Sequence, residues 1–298
     1  MQLTLLAGLL YALTSFNDTK NDRRVLWGWA PEDIVGDGGL FSTSQQGFQG
    51  SHSLPRELFV LTTRGLMNAD GMLGQFGPNT VSQEANGSFT AQTLGQRPLP
   101  DVVAGLRNGT TQHSFQGRTF NSSTTLMANG SSHMELSASV MSATGACGLR
   151  IAVSPDGSEY TTIYYEPSNN TIIVDRTHSS LITEFNNATV TGYFYPYSYA
   201  SANGSSVQEA LHWDIFLDGS LLEVFINDRF ALTTRIYPSM ESSTGFGVYV
   251  GSGSATFEAI DAWPNLYNVF PERPLNSSSQ LVFDTSAQTN NYTWWSGN

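Results

Sequence analysis

The sequence predicts an all-β protein, built from antiparallel hairpins with a β-sandwich as its larger part. Three observations carry this. Apolar residues alternate at period 2, as in Leu211, Trp213, Ile215 and Leu217, then Leu222, Val224 and Ile226, then Phe230, Leu232, Thr234 and Ile236. Asp218-Gly219 and Asn227-Asp228 stand between these runs, and such pairs close tight hairpins. Third, no helical period of any length and no internal repeat appears. Many short strands at roughly ten-residue spacing with turn residues between them read as a sandwich.

The elements follow in order. Residues 24–29 (Arg-Val-Leu-Trp-Gly-Trp) and 57–62 (Glu-Leu-Phe-Val-Leu-Thr) are β-type runs, with a Gly/Ser/Gln loop over 36–49 between them. Residues 65–97 are rich in Gly, Asn and Gln with short apolar scraps, and no strand is assigned there. Pro100 followed by Asp101 fits the first turn of a short helix, and a boundary is placed near residue 100. Leu149, Ile151 and Val153 alternate, Ser154-Pro155-Asp156-Gly157 turns, and 160–165 returns. Asn169-Asn170 turns again into 171–174, and strands over 246–250 and 257–260 close the set. The expected organisation is a first β unit over 1–98, a linker with a short helix over 99–112, a sandwich over 113–270 and a C-terminal extension over 271–298. Trp213, Val224, Phe230 and Val248 are expected to face inward.

Charge narrows the function. Lys and Arg total 13 against 25 Asp and Glu, a formal net charge of -12 with a pI near 4.7. Such a field repels nucleic-acid backbones and anionic membranes and leaves neutral sugars unaffected. Cys147 is the one cysteine, so no internal disulfide and no cysteine-based metal site can form. The five histidines, at 52, 113, 133, 178 and 212, lack ligand spacing. No metal or cofactor is expected, and the oligomeric state stays open.

Charged residues are only 13% of the chain, and Ser, Thr, Asn, Gln and Gly carry the polar share, a mix that suits an extracellular β protein. The acceptor pattern Asn-x-Ser/Thr occurs at Asn17, Asn86, Asn108, Asn121, Asn129, Asn169, Asn187, Asn203, Asn276 and Asn291. Ten acceptors point to a secreted glycoprotein; the alternative is a bias from Ser/Thr-rich composition. Residues 3–13 are apolar enough for the centre of a signal peptide. Met1-Gln2 supplies no positive charge before them, and the run is too short to span a bilayer.

Four segments in order carry a resemblance. Residues 23–29 (Arg-Arg-Val-Leu-Trp-Gly-Trp), with 47–58 (Gly-Phe-Gln-Gly-Ser-His-Ser-Leu-Pro-Arg-Glu-Leu), resemble the last blade of glycoside hydrolase family 32. Residues 174–180 (Val-Asp-Arg-Thr-His-Ser-Ser) and 217–238, opening Leu-Asp-Gly-Ser-Leu-Leu-Glu-Val-Phe, resemble that family's sandwich signatures. The family holds invertases, inulinases and fructosyltransferases, and the style is closest to fungal β-fructofuranosidases. The resemblance implies a five-bladed β-propeller followed by a β-sandwich, a fructoside substrate and an extracellular parent protein. Residues 8–18 resemble a propeller strand too. Leu6 and Ala7 stand where the family carries an Asp, which implies a blade that begins upstream and competes with the signal-peptide reading.

The family's chemistry needs two carboxylates flanking the glycosidic bond and a third acid beside them. The family carries these in Asn-Asp-Pro, Arg-Asp-Pro and Glu-Cys motifs. Here Asn17-Asp18, Asn21-Asp22 and Asn227-Asp228 lack the following Pro, Arg-Asp-Pro is absent, and Cys147 follows Ala146. The expectation is a chain without the catalytic carboxylates, inactive alone. The alternative is a non-catalytic secreted carbohydrate-binding or structural module. Candidate substrate-binding residues are Trp29, Glu32 and Asp33, because rings stack on sugar faces and carboxylates accept hydroxyl hydrogen bonds. Their other reading is blade packing and a solvated turn. Arg56-Glu57, Asp175-Arg176 and Glu223 read as structural ion pairs, and Trp27 as packing.

Overall fold

A computed structural model describes residues 7–33, 50–75, 79–183, 185–201 and 204–267. The first part of the chain forms β1 (Ala7–Gly8), β2 (Tyr11–Asp18), β3 (Arg23–Ala30), β4 (Ser51–His52), β5 (Arg56–Met67), β6 (Asn79–Gln83) and β7 (Phe89–Pro98). The helix α1 (Pro100–Leu106) follows, with Pro in its first turn and Asp101 beside it, as expected. The rest forms β8 (His113–Phe120), β9 (Thr124–Met127), β10 (His133–Ala143), β11 (Cys147–Val153), β12 (Thr161–Glu166), β13 (Thr171–Asp175) and β14 (Val190–Tyr193). Then come β15 (Ser198–Ala200), β16 (Ser206–Gln208), β17 (Leu211–Asp218), β18 (Leu221–Ile226), β19 (Phe230–Arg235), β20 (Gly245–Val250) and β21 (Ala255–Pro264).

These make three layers. Two sheets, of order β1-β19-β18-β17-β10-β21-β8 and β14-β13-β12-β11-β20-β9, face each other as a sandwich. A third sheet runs β16-β15-β5-β3-β2, with β7 along the other edge of β5, β6 beside β7, and β4 beside β3. Pairing is antiparallel except for β1, which joins β19 in parallel through Ala7↔Leu232 and Gly8↔Thr233. Gly8 adopts φ +94° there, and a Cβ would stand 1.9 Å from the Thr233 carbonyl oxygen, so only glycine permits this approach.

The sandwich core holds Trp213, Val224, Phe230 and Val248, the four residues expected inward, together with Leu136, Leu149, Ile163, Ile172 and Phe246. Alternation places them there. In β17, residues 213, 215 and 217 point inward while His212 stays exposed and Asp214 half-buried. The β18–β19 turn fits its sequence: Asn227 and Asp228 take φ 49° and 55°, a left-handed conformation that Asn and Asp tolerate, and the Arg229 N–H donates to the Ile226 carbonyl at 3.1 Å within a three-residue loop. β18 and β19 are buried along their whole lengths, because the third sheet covers the face that the sandwich partner does not.

Two features depart from the sequence expectation. The polar stretch over 65–97 contains β6 and β7, and β7 is the long partner of β5. Its strand state comes from the ladder rather than from apolar alternation. The hairpin β15–β16, which lies within 113–270, adds to the third sheet through Ser198↔Met67 and Tyr199↔Leu66 rather than to the sandwich. The expected loop over 36–49 lies outside the described residues.

Candidate functional site at the seam between the third sheet and the sandwich

Strand β3 delivers Trp29, Glu32 and Asp33 to the place where its sheet meets the sandwich. Trp29 is half-buried, with its ring edge-on to Tyr11 at 6.2 Å. Gly50 (φ +71°) lies against the indole, where a Cβ would come 2.4 Å from Nε1. The Asp33 carboxylate accepts from Arg176 Nη1 at 2.6 Å and from Asn186 Nδ2 at 2.8 Å, and its backbone N–H donates to the Tyr237 hydroxyl at 2.8 Å. Glu32 accepts from the Tyr237 hydroxyl at 2.7 Å and from the Gly50 N–H at 3.1 Å, with Arg235 at 3.9 Å. All four oxygens of the two carboxylates are therefore occupied by protein partners, whereas the sequence suggested that they could receive sugar hydroxyls or sit in a solvated turn. Burial, foremost, pushes the Tyr237 phenol well above its usual range, so it stays a neutral donor to Glu32.

The rest of the seam repeats this design. Arg235 donates to the carbonyl of Ala30 at 2.8 Å, to Ser51 Oγ at 2.7 Å and to Ser220 Oγ at 2.7 Å. Arg56 Nη2 reaches Glu223 at 2.7 Å and the Thr233 hydroxyl at 2.5 Å, and the second oxygen of Glu223 accepts the Leu54 N–H at 2.6 Å. A buried ion pair survives desolvation only when its remaining valences are met, and here they nearly are; Arg56 Nε alone has no partner. Ion pairs do form at Arg56, Glu57, Arg176 and Glu223, but not between sequence neighbours. Arg56 and Glu57 do not pair with each other: Glu57 binds Arg97 at 2.9 Å in the neighbouring strand. Arg176 likewise turns from Asp175 to Asp33. Trp27 is exposed, with its ring edge-on to His52 at 5.4 Å.

Sequence reasoning missed Tyr237, Asn186 and Ser51. Tyr237 lies 205 residues from Glu32, and Asn186 lies 153 from Asp33, so no local pattern could announce them.

A cavity of about 280 Å³ opens along the same seam, between Ser53–Pro55, Leu106, Phe216, Leu221 and Tyr267. Its walls are mostly apolar, with His52, His133, Asp218 and Glu223 at its polar points. His133 Nδ1 meets Asp218 at 2.6 Å, a contact that raises the imidazole pKa above 6.5. Burial pushes the Cys147 thiol up to about 12. Among the described residues no three His, Cys, Asp or Glu side chains gather to hold a metal ion.

Of the ten acceptor asparagines, Asn17, Asn86, Asn108, Asn121, Asn129 and Asn169 are exposed and Asn187 is half-buried, its Oδ1 accepting from Ser179 at 3.1 Å. Asn169 stands in the turn joining β12 to β13. Asn203, Asn276 and Asn291 lie outside the described residues.

Comparison with known proteins bears on this fold. The family model described as the C-terminal part of glycosyl hydrolases family 32 matches residues 102–264, more than half of the chain. Acid beta-fructofuranosidase of Vicia faba is 26% identical over 239 residues, 78% of this chain and 35% of its own length. The fructosyltransferase structure from A. japonicus superposes with a TM-score of 0.79 at 26% identity, covering 91% of this chain and 46% of that one. The beta-fructofuranosidase of Aspergillus kawachii, complexed with glycerol, gives a TM-score of 0.77 at 27% identity, covering 88% and 47%. The chain spans less than half the length of these relatives.

Proposed function

This chain belongs to glycosyl hydrolases family 32 through its C-terminal region, and from that premise we propose that it is the C-terminal part of an enzyme acting on β-fructofuranosides such as sucrose, inulin or other fructans. The observation that carries the reading is the family match over 102–264, on a chain whose third sheet is locked to the matched sandwich by buried ion pairs. In this reading the sheet of β2, β3, β5 and β7 is the last blade of a propeller, and the sandwich holds that blade in place. Trp29 is the candidate sugar contact on the blade. Glu32 and Asp33 contribute by fixing the end of β3 and so the attitude of that indole. The parent protein is secreted and carries glycans on the asparagine acceptors.

We propose also that the catalytic carboxylates lie outside these 298 residues, since none of the three motifs that hold them in the family occurs here. Acid/base assistance is worth roughly 10²–10⁴ in rate. Orientation by a complete pocket is worth roughly 7–11 kcal/mol more. Purified alone, the chain should release no fructose from sucrose or inulin, and a Glu32→Gln/Asp33→Asn double variant should behave the same. Robust turnover abolished by the double change, in a variant still folded by circular dichroism, would place an active site within this chain and defeat the proposal.

A further inference from the structure

The outer face of the sheet containing β11, β12 and β20 carries a cluster that the seam does not use. The guanidinium of Arg150 lies over the ring of Tyr160 at 4.6 Å and over that of Tyr249 at 5.4 Å. Tyr249 and Tyr164 approach to 5.0 Å, on either side of Gly148, which stands in register with both. The ring of His178 stacks on Tyr160 at 4.9 Å and 8°. Tyr160, Tyr164 and Tyr249 are half-buried and His178 is exposed, so ring faces and edges reach solvent.

This cluster differs from the arginine sites of the seam in what it lacks. Arg176 and Arg235 are engaged by carboxylates, carbonyls or hydroxyls, and Arg56 meets Glu223 and Thr233 through Nη2 with only its Nε unpartnered. Among the described residues Arg150 makes no ion pair and no hydrogen bond, and its Nε is closed off from solvent without a partner. The hydroxyls of Tyr160, Tyr164 and Tyr249 also make no hydrogen bond to the described residues. Cation–π contact holds the guanidinium flat and leaves its Nη donors unpaired. Across the ladder, Arg150 pairs with Thr162 and Thr162 with Asp175, so a carboxylate stands one strand further along the same row. Asp175 Oδ1 accepts from Thr177, and no described residue donates to Oδ2.

We propose that this face is a saccharide-binding platform, separate from the seam, that takes a neutral oligosaccharide. The C–H faces of sugar rings lie against Tyr249 and Tyr164 on one side and His178 on the other, while Tyr160, between the guanidinium of Arg150 at 4.6 Å and the ring of His178 at 4.9 Å, holds those two in place. Sugar hydroxyls accept from Arg150 and donate to Asp175. Neutrality follows from the charges: Asp175 and Glu166 flank Tyr164, and the chain carries a net charge of -12, so an acidic polymer is repelled. A ligand that both donates and accepts, with an apolar face, satisfies every open group at once. The inference does not depend on the enzymatic reading, and a chain without turnover could still bind here.

The test is native electrophoresis of the full chain through gels containing inulin, galactomannan or, as the anionic comparison, polygalacturonate. Retardation by a neutral polysaccharide and not by polygalacturonate is expected. Tyr249→Ala and Arg150→Ala should each weaken it about tenfold or more. Arg150→Lys keeps the charge but loses the planar fork, and should weaken binding with the melting temperature unchanged. Phe16→Ala and Val60→Ala, exposed residues of the third sheet, should leave retardation intact. The proposal is overturned if neither neutral gel retards the chain, if retardation survives Tyr249→Ala and Arg150→Ala, or if it follows Phe16 or Val60. It is overturned also if the same face instead drives a concentration-dependent dimer that Tyr249→Ala dissolves, since the occupant would then be a second copy.

Discussion

Strand β18 is buried on both faces, yet the two faces are chemically opposite. Leu222, Val224 and Ile226 enter the apolar interior of the sandwich. One residue out of phase, Glu223 meets Arg56 and Phe225 packs with Phe216 and Ala231 against the third sheet. The interior can be filled by any set of apolar side chains of the right volume. The seam is directional: each charge has named acceptors or donors, and a shifted register would leave ions buried and unpaired. The contrast teaches that alternation of apolar and polar residues marks two faces, without saying that the polar one meets water. It also suggests a division of labour, in which the sandwich supplies stability and the seam fixes how the third sheet sits on it.

The sharpest way to break this comparison is to remove one charge. Glu223→Leu leaves Arg56 buried without its anion and should cost about 3–5 kcal/mol, read by denaturant unfolding. Leu222→Ala, on the other face of the same strand, should cost about 2–5 kcal/mol through lost burial and a cavity. The two diverge in their rescue. Arg56→Met combined with Glu223→Leu should recover most of the loss, whereas no partner substitution should repair Leu222→Ala fully. A double variant as unstable as Glu223→Leu alone would mean that the seam acts through shape and not through charge pairing.

A second buried carboxylate sharpens the contrast within the sandwich end. Burial alone would raise the Glu159 pKa, but the hydroxyls of Ser239 and Ser243 and the backbone N–H groups of Ser239 and Leu181 outweigh it, and the net shift is downward from 4.5. Because the folded-state pKa is depressed, the stability it confers is complete above the unfolded value. That stability is lost as pH falls through the folded value. Glu159→Gln should therefore cost about 1.5–3 kcal/mol near neutrality and flatten the loss of stability below pH 4.5. An unchanged acid slope would remove Glu159 from the account.

The smallest effect is expected at the rim of the cavity. The Asp218 contact raises the His133 pKa, so the stability it adds is complete below the ordinary 6.5 and fades as pH rises through the folded value. Asp218 is exposed and His133 only half-buried, and screening keeps the energy small. Asp218→Asn should lower the His133 pKa in an NMR titration while barely moving the melting temperature.

The sandwich hairpins were legible because 211–236 combines strict alternation with turn pairs that close only one way. Strand β7 was not, because Thr90, Gln92, Thr93 and Gln96 give no apolar period and the strand exists through its ladder to β5. Trp29, Glu32 and Asp33 were legible as residues worth noticing at the end of a strand. Their partners were not, since Arg176 stands 143 residues from Asp33.

The two small excursions, β1 into the sandwich and the β15–β16 hairpin out of it, make the two halves of the chain reciprocal donors. A nick in the turn after α1 would leave two fragments clasped like linked hands, each completing the other's sheet. Separated, the sandwich would present a bare flank of β19, and its former neighbour would lose the hairpin at the end of β5. Recombination that moved either half alone would carry an orphan strand into its new host.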